Sequence, residues 1–308
     1  MAIAEPIELI PAADLALLNR RSDWAGWCQL LGHGLFIVLS ALAWASPSLP
    51  LGLRLVALLL FGTGLAFCFC VMHECGHRTA FANRQLNDAI AWWAGLLSFY
   101  NADFYRRYHQ WHHRYTHQPG LDPELEQAPP ASLGSYLFEL TGLPWWLAKF
   151  RGHALGLSGN FSGSPYISED LAPQITRSIR LQFLIYTVVF LLSLISGNGF
   201  IFWFWLLPLA LGQPILRFVL IAEHGGCSFE QDGLKNTRTT LTLAPLRWLM
   251  WNMSFHVEHH LYPSIPFHAL GRAHGWLGPH AEQLADGYLR LNLVFCRHPS
   301  QLALPKQG

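Results

Sequence analysis

Nine histidines carry the chemistry open to this chain. His73-Glu-Cys-Gly-His77, His109-Gln-Trp-His112-His113 and His256-Val-Glu-His259-His260 form three tight groups, and His224 lies between the second and third. On an α-helix, residues three and four apart share a face. His73 and His77 therefore point one way, as do His109 with His112 or His113, and His256 with His259 or His260. A lone histidine is most often a polar core residue. Three such groups in one chain read as a metal centre built from distant segments, because neutral imidazole suits zinc, copper and iron. Four ligands satisfy a tetrahedral zinc. Nine imidazoles exceed the needs of one ion and match two ions of higher coordination number with a position left open. Spacing alone leaves the metal open among iron, zinc, manganese and copper. His117, four residues past His113, can compete for a ligand place but is expected to be a supporting group. Cys75, two residues from His73, points off the ligand face and is read as a spacer.

The elements that must position these groups are written in the composition. Of the 308 residues, 13% are charged and 52% apolar, with 13 Trp and 20 Phe, which fits a membrane protein better than a soluble α/β enzyme. A net charge of +1 gives no reason to expect nucleic acid as a partner. The six cysteines form no CxxC pair and imply no disulfide framework.

Residues 1–24 carry acidic side chains before any long apolar run, unlike a signal peptide, and are expected to be a cytoplasmic segment. Trp24–Trp44 is long enough to cross a bilayer, and Ser46–Pro50 is a short turn. Leu51–Met72 returns, leading straight into His73 and His77. Leu86–Tyr100 is too short to span and is expected in the interface or re-entering part way. Asn101 can cap the next helix, which carries the second histidine group and ends before Pro119. Residues 119–130 and 158–165 read as loops. Leu181–Ser196 and Phe200–Ile221 form a second apolar pair, followed at once by Glu223 and His224. One helix is expected between Pro245 and Pro263, carrying Asn252 and the third group. The two short turns between paired spans contain no Lys or Arg, so the termini and the central segment are expected on the cytoplasmic side together with all the histidines.

His-Glu-Cys-Gly-His, His-x-x-His-His and His-Val-Glu-His-His, in that order around two helical hairpins, resemble the integral-membrane fatty acid desaturase and hydroxylase family across roughly residues 50–275. The stretch Asn252-Met-Ser-Phe-His-Val-Glu-His-His-Leu-Tyr-Pro-Ser-Ile-Pro is similar to that family's third box with its flanks. The resemblance implies an all-α integral membrane fold. It has four transmembrane helices in two hairpins, interfacial helices, and a cytoplasmic helical cap bearing the boxes. Residues 25–275 would form this domain, with 276–308 as a cytoplasmic tail. It also implies a di-iron centre held by His73, His77, His109, His112, His113, His256, His259 and His260, with His224 as the further ligand. The activity implied is O2-dependent desaturation of a fatty acyl or related lipid chain. Its first step is hydrogen abstraction from an unactivated methylene; loss of a second hydrogen then gives an alkene and oxygen rebound an alcohol. Electrons would come from a separate ferredoxin, rubredoxin or cytochrome.

Further residues are candidates for supporting roles. Trp92, Trp93, Trp203, Phe204 and Trp205 can line a substrate channel, although a lipid-facing aromatic is the commoner outcome for any one of them. Glu74, Asp88 and Glu258 can orient ligand imidazoles through their second ring nitrogen, or simply be solvated. Arg106, Arg107 and Arg114 can meet an anionic head group or anchor at the interface. A hydroxylase, ketolase or oxidative decarboxylase would use the same ligands. A metal transporter would need ionisable groups along the spans, which are nearly free of them. A zinc hydrolase would leave most of the histidines unexplained.

Overall fold

The computed structural model describes residues 9–303; residues 1–8 and 304–308, parts of the expected terminal segments, lie outside the described residues. Helices α1 (Ala12–Leu18), α2 (Asp23–Ala45), α3 (Leu51–His77), α4 (Arg84–Ser98) and α5 (Ala102–Tyr115) open the chain. Then come α6 (Leu133–Leu140), α7 (Leu143–Ser158), α8 (Ala172–Ile195) and α9 (Leu207–His224), the last preceded by a π-helical turn, Phe202–Leu206. Four of the helical stretches are long and apolar enough to cross a membrane: α2, α3, α8 and Phe202–His224. The second apolar pair therefore starts earlier than its hydropathy indicates, at Ala172.

Helix α3 is the central one, with 78% of its apolar window buried against 17% for α2 and α8. It packs on α2, α4 and α9. Its contact with α9 depends on two glycines. A Cβ on Gly62 would lie 2.1 Å from the Pro208 carbonyl oxygen, and one on Gly212 would lie 2.0 Å from the Gly62 carbonyl oxygen. Small residues let helix backbones approach this closely where lipid offers no hydrophobic drive to associate. The π turn ahead of α9 sits just before Pro208, which supplies no N–H to continue a regular ladder. Because α3 and α9 lie side by side and end at His77 and His224, their histidines reach the same end of the molecule.

Asn101 caps α5 as the sequence indicates, its side chain accepting the Phe104 N–H at 3.0 Å. At the junction of α3, α4 and α5, Asp88 takes both Arg78 nitrogens at 2.8 and 2.9 Å and is bridged to Arg106, which also donates to the Gly76 carbonyl. This ion-pair cluster fixes the first two histidine groups relative to each other.

The remaining elements are α10 (Gly233–Asn236), β1 (Thr239–Leu241), α11 (Ala244–Leu249), α12 (His256–Leu261), α13 (Phe267–Leu277), β2 (Leu284–Asp286) and α14 (Tyr288–Arg297). Two expectations are corrected here. The single helix between Pro245 and Pro263 is two helices, α11 and α12, because Trp251 and Asn252 adopt left-handed backbone angles (φ 53° and 59°). Asparagine tolerates that region. Tryptophan does so at a cost, and is held there by a fully buried ring whose indole N–H reaches His33 Nδ1 at 3.2 Å. The chain is also not wholly α: β1 and β2 pair in parallel, Thr240 opposite Ala285. Thr239 of β1 then supports α12, its hydroxyl accepting the Val257 N–H at 3.2 Å and donating to Glu258.

Candidate metal centre

All nine histidines expected as ligands meet in one place, in two adjoining lobes. Ring nitrogens of His73, His77, His109, His113 and His259 lie within 4.8 Å of one another, as do those of His112, His224 and His260. His256 joins the second lobe, with Nε2 at 3.1 Å from both His224 Nε2 and His260 Nε2. In the first lobe, His113 Nε2 lies 3.0 Å from His109 Nε2 and 3.1 Å from His259 Nε2. Helix α3 serves the first lobe and α9 the second; α5 and α12 each contribute to both.

These nitrogens fit a metal pair. His113 Nε2 faces two other Nε2 atoms, yet a neutral imidazole has one N–H to give. Lone pairs brought nose to nose need a cation between them. For imidazole–metal bonds of about 2.1 Å, two ligands at a right angle sit about 3.0 Å apart, which is the spacing of all four contacts. Both ring nitrogens of His73, and Nε2 of His77, are buried with no partner among the described residues. His33 shows the contrast: its Nε2 meets the Gly64 carbonyl and its Nδ1 the Trp251 indole, as in an ordinary core histidine.

The protonation states suit the same role, since a ligand must offer a free lone pair. Burial, followed by the neighbouring imidazoles, pulls His109, His113, His256, His259 and His260 well below the usual histidine value. His112 differs. Burial pulls it down, but the carboxylates of Glu124 and Asp122 outweigh that and raise it to about 8.

Loops supply what orients the rings. Asp122 accepts His112 Nδ1–H at 2.9 Å, and its second oxygen accepts the His117 backbone N–H at 2.6 Å. The Asn236 carbonyl takes His224 Nδ1–H at 3.0 Å, and the Thr116 hydroxyl meets His260 Nδ1 at 3.1 Å. None of these was singled out beforehand. Asp122, ten residues after His112 in an acidic loop, was the one visible in the sequence; a backbone carbonyl is not.

The carboxylates expected to orient imidazoles do other work. Glu74 binds Thr79 and the Phe267 N–H, and Glu258 binds Thr239 and His274. Asp88 holds Arg78 and Arg106, as described above. The reason is angular: Glu74 directly follows His73 and Glu258 directly precedes His259, so each is turned about 100° round the helix from that histidine. His117 bonds Ser228 and stacks on Phe229 at 4.3 Å. Cys75 is buried in the core. Arg106 is structural, whereas Arg107 reaches only Gln110 at 3.5 Å and Arg114 lies over Tyr115.

The five aromatics considered for a channel stay away from the cluster. Trp93, Trp203 and Phe204 face outward, as lipid-facing side chains do, and the indoles of Trp92 and Trp205 bond Ser178 and the Leu97 carbonyl. The aromatic wall beside the histidines is instead Phe69, Tyr100 and Tyr105, with Phe69 6.1 Å from His73 and Tyr105 5.1 Å from His109.

Residues 50–292 match the family described as fatty acid desaturase. The chain belongs to that family. The matched stretch runs from just before α3 into α14, so it takes in every histidine of both lobes. The chain is 27% identical over 240 residues to an sn-1 oleoyl-lipid 12-desaturase of Synechocystis sp., an overlap covering 70% of this chain and 66% of the relative. It is 28% identical over 203 residues to a sphingolipid delta(4)-desaturase/C4-monooxygenase of Rattus norvegicus, covering 63% and 56%. A dihydrorhizobitoxine desaturase of Bradyrhizobium elkanii is 26% identical over 260 residues, covering 77% and 71%. The chain thus spans about two thirds of the first of these and little more than half of the second.

Proposed function

We propose that this protein is a membrane-embedded, O2-dependent oxidoreductase that introduces a double bond into a lipid acyl chain at a di-iron centre. The observation that carries the reading is the convergence of nine histidines into two adjoining lobes in a member of the desaturase family. One iron would be held by His73, His77, His109, His113 and His259, the other by His112, His224, His256 and His260. When bound, such a pair supplies reductive activation of O2 strong enough to take hydrogen from an unactivated methylene.

The protein's own part is placement. Asp122, Thr116 and the Asn236 carbonyl fix the ring orientations of His112, His260 and His224. Phe69 and Tyr105 stand against His73 and His109 and offer an apolar wall along which a hydrocarbon chain can lie. Glu124 reaches within 3.8 Å of His112 Nδ1 while its side chain stays 36% exposed, so it can pass protons between the site and water.

The four apolar helices support a two-hairpin membrane domain over residues 25–275, with a cytoplasmic helical cap carrying the histidines and flanking segments 1–24 and 276–308 on the same side. The reductant in this reading is a separate electron-transfer protein, a ferredoxin, rubredoxin or cytochrome. Hydroxylation is the second reading, supported by the rat relative, whose name joins desaturase to monooxygenase activity.

The test is metal analysis of the purified protein, with mass spectrometry of lipids and free fatty acids from cells expressing it or His256→Ala. About two irons per chain and a new double bond, both lost in His256→Ala, are expected. Two zincs and no iron, with an unchanged lipid profile, would sink the assignment.

A further inference from the structure

Near the histidine cluster, a cation on α7 and a cation on α9 share one set of aromatic rings. Arg217 lies on α9, two turns or about 10 Å before His224, within a stretch apolar enough to cross a membrane. Lys149 lies on α7, its Nζ 3.9 Å from the Tyr100 ring centroid and 5.9 Å from that of Trp145. The Arg217 guanidinium sits over the same Trp145 ring at 5.5 Å. Two cations thus share one aromatic box, and among the described residues neither makes a salt bridge. The carboxylates of Glu124, Glu139 and Glu223 are near enough to act on Arg217, and that of Glu124 on Lys149, but none is in hydrogen-bonding reach of either cation. An ionisable group inside a membrane segment marks a functional site by default.

Among the described residues, three polar groups around the pair also lack a complement. Arg217 Nε is buried with no acceptor. Gln213, one turn before Arg217 on the same face, is fully buried with both amide atoms unpartnered. The Tyr100 hydroxyl accepts Trp145 Nε1–H at 2.8 Å and Arg217 Nη2–H at 3.2 Å. With both lone pairs used, its own proton is left to give. Burial and then the Arg217 charge pull the Lys149 ammonium down to about 7, against the more distant Glu124. Lys149, Arg217 and Tyr100 thus gather ammonium, guanidinium and hydroxyl donors around Trp145, with the Gln213 amide one turn before Arg217. The Tyr100 ring lies 5.8 Å from that of Tyr105, which stacks on His109 at 5.1 Å.

Building on the acyl-lipid reading above, we propose that Lys149, Arg217, Gln213 and Tyr100 hold the oxyanion head of the substrate, a carboxylate or a phosphate, while its hydrocarbon chain runs to the metal centre. The assignment separates substrates by head group, which neither the histidine boxes nor the aromatic wall can do.

Binding is the test, measured on the purified full chain in phosphatidylcholine nanodiscs with palmitic acid, methyl palmitate and palmitoyl lysophosphatidate as probes. Lys149→Gln and Arg217→Gln are expected to weaken the anionic probe about tenfold or more, the worth of a charged hydrogen bond, and to leave methyl palmitate unchanged. Arg217→Lys should fall between. Loss confined to palmitic acid names a carboxylate head, and loss confined to lysophosphatidate a phosphate head. Equal losses for acid and ester, or none for any probe, overturn the head-group assignment while leaving the acyl-lipid reading in place. A wild-type chain that binds none of the three overturns both. Unchanged metal content and thermal midpoint in the variants confirm that folding is intact.

Discussion

Asp122 is the residue through which the second lobe is tied to the loop beside it. It accepts from His112 Nδ1 and from the backbone N–H groups of His117 and Glu124. Asp122→Asn keeps the shape but removes the charge that sustains the ring orientation. Losing such a partner typically costs about 10–100-fold in metal affinity or activity. Iron per chain and turnover of the purified variant should both fall on that scale. His117 marks the opposite boundary. Its ring faces Ser228 and Phe229, so His117→Ala should retain both metals, whereas His224→Ala should lose the second; metal content decides between them. Eight of the nine clustered histidines were legible because helical spacing displays a shared face directly; His224 stands alone and is expected only through the resemblance. Glu74 and Glu258 fail as ring partners for the ligand histidines for the complementary reason. A carboxylate near a histidine in sequence looks like its partner, yet one or two residues along a helix turn it away. The actual partners come from residues 116–122 and from Asn236, and backbone carbonyls leave no trace in a one-letter string.

Element by element, the long helices were readable and the short ones were not. Twenty uncharged residues define a span whatever it packs against, which is why α2 and α3 stand within a few residues of expectation. The break between α11 and α12 depends on Trp251 being locked by His33, a contact 218 residues away in sequence. Likewise β1 and β2 are three residues each and exist through their pairing alone. The α3–α9 contact makes a sharp prediction. Gly212→Ala puts a methyl where the Gly62 carbonyl already is, which should cost about 1–3 kcal/mol and tilt α9 away from α3. Because α9 delivers His224, a lower thermal midpoint should come with loss of metal from the second lobe. A variant that unfolds at the wild-type temperature and keeps its full metal complement would show the approach to be slack.

At the scale of the molecule, sidedness is the open property. Ser48 and Asn198 lie in the turns at one end of the long helices, while Gly163 lies in the loop ahead of α8, at the histidine end. In a Cys28→Ser background, cysteines at positions 48 and 198 should react with an impermeant thiol reagent from outside intact cells, and one at 163 only after lysis. Labelling of all three from the same side would break the proposed arrangement.

The sharing of α5 and α12 between the two lobes has one further effect. Whichever metal ion arrived first would freeze both helices, and so complete much of the ordering that the second ion requires. Loading should then be sigmoidal, with half-filled chains scarce at every point of a titration of metal-free protein. Native mass spectrometry that found single-iron chains dominating midway would mean the lobes fill independently.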